Sequence, residues 1–159
     1  RMLPQSDAQP GVAYSAGLLH NIGQLFLGHV FPRQHALLEC GLLANTHVSM
    51  PEVERHVLGI GHDEIAAQLL RAWQLPEAIV TAVRRHHDHD YQGPHAIYAH
   101  LVAIANRALA AYGLGINEAE TLPGELLRSV GLSESAVRTA AATLWDDRAE
   151  IERLAQLVA

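Results

Sequence analysis

Apolar residues recur at steps of three and four along most of this chain, and short breaks rich in Pro and Gly separate the runs. This spacing places apolar side chains on one face of an α-helix, whereas no segment shows the alternation typical of a half-buried strand. The first run, with Tyr14, Leu18 and Ile22 on one face, predicts a helix over 12–30. The pattern as a whole predicts an all-α fold, a compact bundle of about six to eight helices.

The breaks divide the rest of the chain into shorter helices. Pro suits the first turn of a helix and Gly suits its end, so these residues mark the boundaries. The expected helices cover 32–47, 51–58, 62–73, 76–87, 95–112 and 124–130, with a last one that starts at Ser133. His62 lies three and four residues before Ile65 and Ala66, on the apolar stripe that ends at Trp73, so His62 should face inward together with this stripe.

The charge and the cysteine content limit the partners and the compartment. Eleven basic residues, all Arg, and seventeen acidic residues give a formal charge of −6, which creates no field that attracts nucleic acid or an anionic membrane. No apolar run approaches the roughly 20 residues that span a bilayer. Cys40 is the only cysteine, and we expect it to pack as a small buried side chain in a reducing compartment. The expected location is the cytoplasm.

Three groups of histidines combine with apolar neighbours: His20-Asn21, His62 and the pair His86-His87. For His20, a core histidine bonded to a backbone carbonyl is the simpler interpretation. The adjacent imidazoles of His86 and His87 at a helix end resemble metal ligands or an anion-binding edge. We assign no chemistry to the remaining histidines, which are His29, His35, His47, His56, His89, His95 and His100.

Three segments together resemble the HDOD domain of bacterial signalling proteins. They are GLLHNIG at 17–23, GHDEIAAQLLRAWQLPEAIVTAVRRHH at 61–87 and VAIANRAL at 102–109. The resemblance covers 12–112 and implies an HD-like helical bundle, with 113–159 as closing helices of a single domain over 1–159. The family has further helices before this segment. We therefore expect the chain to lack them, to be part of a longer or a shortened protein, and to expose an apolar face on its first two helices.

The resemblance also implies a site. HDOD domains are related to HD phosphohydrolases and to the HD-GYP enzymes that hydrolyse cyclic di-GMP, in which Asp occupies the positions of Asn21 and Asn106. Neutral amides cannot balance the charge of a dication or bridge two metals. We therefore expect a vestigial site of neutral groups that lacks acidic side chains, with no catalytic residue and no cofactor. Its members are His20, Asn21, His62, His86, His87 and Asn106.

The leading interpretation is a non-catalytic signalling module that binds a protein partner, or other domains of a signalling protein, through its helix surfaces. A homodimer formed through the exposed apolar face is a further expectation. Nucleic acid and membranes are not expected as partners.

Two alternatives stay open. One is an HD-type phosphohydrolase that acts on a nucleotide or cyclic dinucleotide, with a metal bound by the imidazoles of His20, His62, His86 and His87. This enzyme would need a carboxylate from Asp88 or Asp90, whose polar loop context argues against it. The other is a pocket that binds a nucleotide without cleaving it, through Arg84, Arg85 or Arg107, although surface charge is the simpler interpretation of these arginines.

Overall fold

A computed structural model describes residues 8–45, 47–114, 121–149 and 153, and within these ranges the regular elements are nine α-helices and no strand. The helices are α1 (Pro10–Leu19), α2 (Ile22–Val30), α3 (Pro32–Ala44), α4 (Met50–Leu58), α5 (His62–Ala72), α6 (Glu77–Arg85), α7 (Ala96–Ala110), α8 (Gly124–Ser129) and α9 (Glu134–Asp146). The predicted all-α bundle is confirmed. Over the described residues, the structure has one helix more than the eight segments expected from the sequence, because the predicted helix over 12–30 is divided into α1 and α2.

The division between α1 and α2 falls at His20 and Asn21. Asn21 adopts φ −102° and ψ 12°, outside the helical region, and α2 begins at the next residue. Asn is favoured at such a boundary because its side chain competes with helical hydrogen bonding. The apolar periodicity continues across this break, so periodicity alone could not reveal it. The break turns the chain at the residue pair that the sequence had marked as part of a site.

Pro and Gly mark several helix ends as expected. Pro10, Pro32 and Pro51 lie in the first turns of α1, α3 and α4. The start of α4 is further fixed by a capping box, in which Glu52 accepts a hydrogen bond from the backbone of Ser49 at 2.9 Å. The end of α4 is Gly59, which has φ +75°, a left-handed conformation that Gly adopts without strain.

The helices α5, α6 and α7 form the centre of the bundle. Helix α6 packs between α5 and α7, and α1 covers both α6 and α7. The core between α5 and α6 contains the fully buried Leu70, Val80 and Val83. On the other side of α7, Ile104 packs with Leu127 and the residues of α9. This packing fixes the start of α5 and the end of α6, which are the places where the candidate ligands lie.

Helix α2 touches α5 at a glycine. A Cβ atom placed on Gly23 would collide with the backbone carbonyl of His62, so this position accepts no larger side chain without movement of a helix. The two backbones are therefore in direct contact at the first residue of α5. Gly23 brings the chain after His20 next to His62.

Two expectations about burial were wrong. Cys40 is exposed, because it lies on α3 midway between Leu38 and Leu42, which point into the core, and thus on the opposite face. Trp73 is 55% exposed, because it is the C-terminal cap of α5 with ψ 2° and no longer follows the helical register of the apolar stripe.

An apolar surface is exposed on the first helices, as expected. Large apolar side chains between residues 14 and 43 face solvent; they are Tyr14, Leu18, Leu25, Val30, Phe31, Leu37 and Leu43. We call this set the N-terminal apolar surface. None of the helices within the described residues has the length and hydropathy needed to cross a bilayer.

Candidate functional site

Four histidines from three helix ends come together in the structure. His20 follows the last residue of α1, His62 is the first residue of α5, and His86 and His87 follow the last residue of α6. The ring centroids of His20 and His86 are 5.2 Å apart, those of His62 and His87 are 5.1 Å apart, and those of His86 and His87 are 3.9 Å apart. We call these four residues the histidine cluster. They are the histidines that the sequence had grouped.

Backbone carbonyls hold the Nδ1 atoms of two cluster histidines, His20 and His86. His20 Nδ1 lies 2.7 Å from the carbonyl of Gly17, and His86 Nδ1 lies 2.7 Å from the carbonyl of Val83. A carbonyl oxygen cannot donate, so each Nδ1 carries the proton. In a neutral imidazole the proton-free lone pair then resides on Nε2. The backbone of α1 and α6 therefore fixes the tautomer of both rings.

Three of the cluster histidines bring possible metal-ligand atoms close together. One ligand atom from each of His62, His86 and His87 lies within 4.8 Å of the other two. The Nε2 atoms of His62 and His87 form a hydrogen bond of 3.2 Å, in which one ring donates and the other accepts. His86 Nε2 is buried and has no hydrogen-bond partner among the described residues. A buried polar atom without a partner is uncommon in a native fold and indicates a place where a ligand can bind.

Burial disfavours the charged form of three cluster imidazoles, those of His20, His86 and His87. Desolvation, together with the neighbouring imidazoles of His87 and His62, lowers the pKa of His86 well below its usual value. Desolvation and the proximity of His62 lower the pKa of His87 to about 3. Burial also lowers the pKa of His20. Neutral imidazoles can bind a metal but cannot attract a phosphate by charge, so the interpretation of His86 and His87 as an anion-binding edge is not favoured.

Glu54 is a site residue that the sequence analysis missed. It is fully buried on α4, and its Oε2 accepts hydrogen bonds of 2.7 Å from both the backbone N–H and the Nδ1 of His62. The expectation of a site without acidic side chains was therefore wrong. The available signal was spacing: Glu54 is four residues after Met50, which is buried, so an acidic residue occupied an apolar-face position of α4.

Asp63 is the second buried acid, next to His62. Its carboxylate forms an ion pair with Arg84 and lies 3.4 Å from the guanidinium of Arg55. Arg84 also contacts Glu64 at 3.1 Å. The interpretation of Arg84 as a surface charge was wrong, because it neutralises a buried carboxylate and joins α5 to α6.

The other arginines proposed for phosphate binding also have partners. Arg85 contacts Asp88 at 3.2 Å and lies over the ring of Tyr91. Arg107 donates to the carbonyl of Thr121 at 3.0 Å and lies 3.3 Å from the ring nitrogens of His89. A phosphate would therefore compete with existing contacts at each arginine, which weakens the nucleotide-binding alternative.

The remaining predicted positions lie around the cluster. Asn21 is half-buried and directly follows His20, whereas Asn106 is half-buried on α7. Their participation in a site stays a prediction. Asp88 and Asp90 are exposed, so neither carboxylate is folded into the protein interior toward His62. His100, to which no chemistry was assigned, is buried and bonded to the hydroxyl of Ser129 at 2.8 Å.

Comparisons with known proteins agree with this architecture. The sequence model of the HDOD domain family matches residues 3–89. An uncharacterized protein of Treponema pallidum (strain Nichols) is 30% identical over 137 residues, which cover 83% of this chain and 26% of that protein. The crystal structure of a candidate signal transduction protein from Marinobacter aquaeolei VT8 is similar with a TM-score of 0.88 and 31% identity, over 98% of this chain and 34% of that chain. The chain thus spans about a quarter to a third of the length of these two relatives.

Proposed function

Since the chain belongs to the HDOD domain family, we propose that it is a non-catalytic signal-transduction and interaction module with a degenerate metal site. The similarity to a candidate signal transduction protein supports a role in signalling. The observation that carries the non-catalytic part is the state of the two acids beside the cluster. Both are buried, each is bound through one oxygen by groups of the protein itself, and neither is among the converging ligand atoms.

The charge around the cluster argues against a hydrolytic pair of metal ions. Such a pair needs carboxylates that balance or bridge two dications and hold an activated water. Glu54 Oε2 accepts two hydrogen bonds from His62, and Asp63 Oδ2 is paired with Arg84 and Arg55. The second oxygen of each carboxylate is buried and has no hydrogen-bond partner among the described residues, but neither acid belongs to the group of converging ligand atoms. Among the described residues, the one group of three or more converging ligand atoms contains imidazoles alone. This group of ligand atoms therefore offers no carboxylate that could bridge two metal ions.

The surface of the first helices supports an interaction role. Leu18, Leu25 and Leu43 are 70%, 69% and 81% exposed, and apolar side chains on this scale typically mark a place where another protein binds. The proposed partner is another protein, a neighbouring domain of a longer signalling protein or a second copy of the chain. The net charge of −6 disfavours nucleic acid and anionic membranes, and we place the module in the cytoplasm.

A metal-dependent HD-type phosphohydrolase is the second candidate, and the convergence of His62, His86 and His87 is the observation that favours it. On this hypothesis a bound metal would polarise a phosphate ester and activate water. The carboxylate oxygens left for such a metal would be Glu54 Oε1 and Asp63 Oδ1, which have no hydrogen-bond partner among the described residues. The two candidates differ in whether any phosphoester is cleaved.

A turnover assay separates the two candidates. Wild-type protein and the H87A variant would be incubated with manganese and with cyclic dinucleotides or p-nitrophenyl phosphate. The signalling module predicts the same background rate for both proteins. Turnover by the wild type that disappears in H87A, with H56A as an active control on the exposed face of α4, would establish the enzyme instead.

A further inference from the structure

The geometry of the histidine cluster points to a ligand. We propose that His62, His86 and His87 bind one transition-metal ion of the zinc class through their Nε2 atoms, and that Glu54 positions His62 for this purpose. The proposal goes beyond the signalling role and does not depend on it. The site would hold one ion with imidazole ligands and no carboxylate ligand, and not a catalytic pair of metal ions.

The separation of the nitrogens fits such an ion. Zinc–nitrogen bonds of about 2.0–2.1 Å at a tetrahedral angle place two ligand nitrogens about 3.3 Å apart. His62 Nε2 and His87 Nε2 are 3.2 Å apart in a hydrogen bond that the ion would replace, with loss of the shared proton or its transfer to the other ring nitrogen, and the three ligand atoms lie within 4.8 Å of one another. Small side-chain rotations are therefore enough to bring the third nitrogen into the coordination sphere. The three helix ends already hold the rings close to this arrangement.

The unpaired nitrogen of His86 is an independent observation that points to the same ligand. His86 is 1% exposed, its Nδ1 donates to the carbonyl of Val83, and its Nε2 has no hydrogen-bond partner in the described part of the chain. The tautomer therefore directs a lone pair into the protein interior with nothing to accept it. A metal ion is an acceptor of that lone pair, and its binding would satisfy the atom.

The contacts behind the ligands are those that metal-binding histidines require. In metal sites the second ring nitrogen of each histidine usually donates to a carbonyl or carboxylate, which fixes the ring and raises its basicity. Val83 does this for His86, and Glu54 does it for His62 at 2.7 Å. Glu54 also places a carboxylate one imidazole away from the ion. That charge partly compensates the dication, although no acid contacts the metal.

The donor type selects the ion. Three imidazoles suit zinc, copper, nickel or cobalt, whereas magnesium and calcium require oxygen ligands. Three imidazole ligands leave a fourth position for water or for His20, whose ring lies 5.2 Å from that of His86. Binding would link the start of α5 to the end of α6. We therefore expect the ion to stabilise the centre of the bundle.

Metal binding can be tested directly on wild-type protein that carries no His tag. After removal of metals with a chelator, the protein would be titrated with Co²⁺ and Zn²⁺ and followed by visible absorption and by competition with a chromogenic chelator. The expected result is one ion per chain and the intense visible bands of tetrahedral cobalt. Absence of stoichiometric binding, or a weak octahedral cobalt spectrum, would overturn the proposal.

Variants identify the ligands and the positioning residue. We expect H87A to weaken zinc binding at least roughly 100-fold and E54Q to weaken it roughly 10- to 100-fold. The Gln side chain of E54Q retains an oxygen that accepts from His62 but loses the charge, so this variant should stay folded. H56A and E39Q change exposed residues and are the matched controls. Unchanged affinity in H87A would refute the assigned ligands, and unchanged affinity in E54Q would refute the role of Glu54.

The outcomes are separable from those of the proposed function. Metal binding is measured here without substrate, whereas the signalling module is tested by the absence of turnover. One bound ion without turnover supports both the metal site and the non-catalytic role. One bound ion with turnover that requires His87 supports the metal site and overturns the non-catalytic role.

Discussion

At the scale of single residues, the pair formed by Glu54 and His62 is the least replaceable feature of the site. Both side chains are fully buried, and one carboxylate oxygen satisfies two donors of His62. Loss of the carboxylate would leave the backbone N–H and the Nδ1–H of His62 without an acceptor in the protein interior. An unsatisfied buried donor destabilises a fold more than the hydrogen bond itself contributes.

The first prediction follows from this pair. We expect E54A to lower the free energy of unfolding by about 2–4 kcal/mol, because it leaves two buried donors unpaired. Urea denaturation followed by circular dichroism measures the change. E39A removes an exposed glutamate from α3 and should change stability by less than about 0.5 kcal/mol. Equal stability of E54A and E39A would show that the hydrogen bonds between Glu54 and His62 do not stabilise the fold.

The second prediction concerns pH and the metal-free protein. Burial lowers the pKa of His86 and His87 in the folded state, the latter to about 3, from the ordinary value of 6.5. Below pH 6.5 the unfolded chain therefore binds protons that the folded chain does not, so stability falls as the pH falls from 6.5 toward 3. Each such histidine contributes a slope of about 1.4 kcal/mol per pH unit.

Urea unfolding at pH 7.5, 6.0 and 5.0 measures this slope. The H87Q variant lacks one of the titrating groups, so its stability should decline less steeply than that of the wild type between pH 6.0 and 5.0. Identical slopes for wild type and variant would contradict a neutral, buried His87.

At the scale of helices, the contact between α2 and α5 determines how the site is assembled. Gly23 allows the backbone of α2 to reach the first residue of α5, which places His20 and His62 on the same side of the core. The break at Asn21 and the absence of a side chain at Gly23 are both required for this approach. Neither feature buries additional apolar surface, yet both affect the positions of His20 and His62.

The third prediction tests this contact. We expect G23A to lower the free energy of unfolding by about 1–3 kcal/mol, because the new Cβ collides with the carbonyl of His62 and forces the helices apart. G17A is the matched control on α1, where a Cβ meets no atom within 4 Å. It should be neutral or stabilising by up to about 1 kcal/mol, since Ala favours helix more than Gly does. A G23A variant as stable as G17A would contradict the close approach.

The helices themselves were largely predictable from the sequence, whereas the acids of the site were not. Apolar spacing with Pro and Gly at the boundaries located α3 to α9 to within a few residues, because these signals are local. The break at Asn21 was missed because the apolar spacing continues across it. Glu54 was missed because its partner, His62, lies on the next helix, and pairing between elements depends on tertiary packing rather than on local pattern.

At the scale of the whole molecule, the chain combines a buried polar cluster with an exposed apolar surface. The family resemblance and the grouping of His20, His62, His86 and His87 were available from the sequence, and the structure brings these four side chains together. The sequence could not show which ring nitrogen carries the proton, that Nε2 of His86 has no partner, or which residues bind Asp63. These features depend on the tertiary structure. Sequence motifs identify which residues form the site, whereas the chemistry of the site depends on the orientation of their side chains.

The fourth prediction concerns the N-terminal apolar surface. We expect the chain to self-associate at micromolar concentrations, because a second copy can cover side chains such as Leu37 and Leu43, which are 61% and 81% exposed. Sedimentation velocity would detect a dimer, and L43E should shift it toward monomer without a loss of stability. L144E replaces an exposed leucine of α9 and is the control. A monomer at every concentration would contradict self-association.

The central claim is that the converging ligand atoms of the histidine cluster are imidazole nitrogens and include no carboxylate oxygen among the described residues, so that the cluster holds one metal ion and not a catalytic pair. The most direct measurement is the number of ions that remain per chain, by elemental analysis, after untagged protein is loaded with excess zinc or manganese and desalted. We predict one zinc ion, no retained manganese and no phosphoester hydrolysis. Two ions per chain would contradict the account.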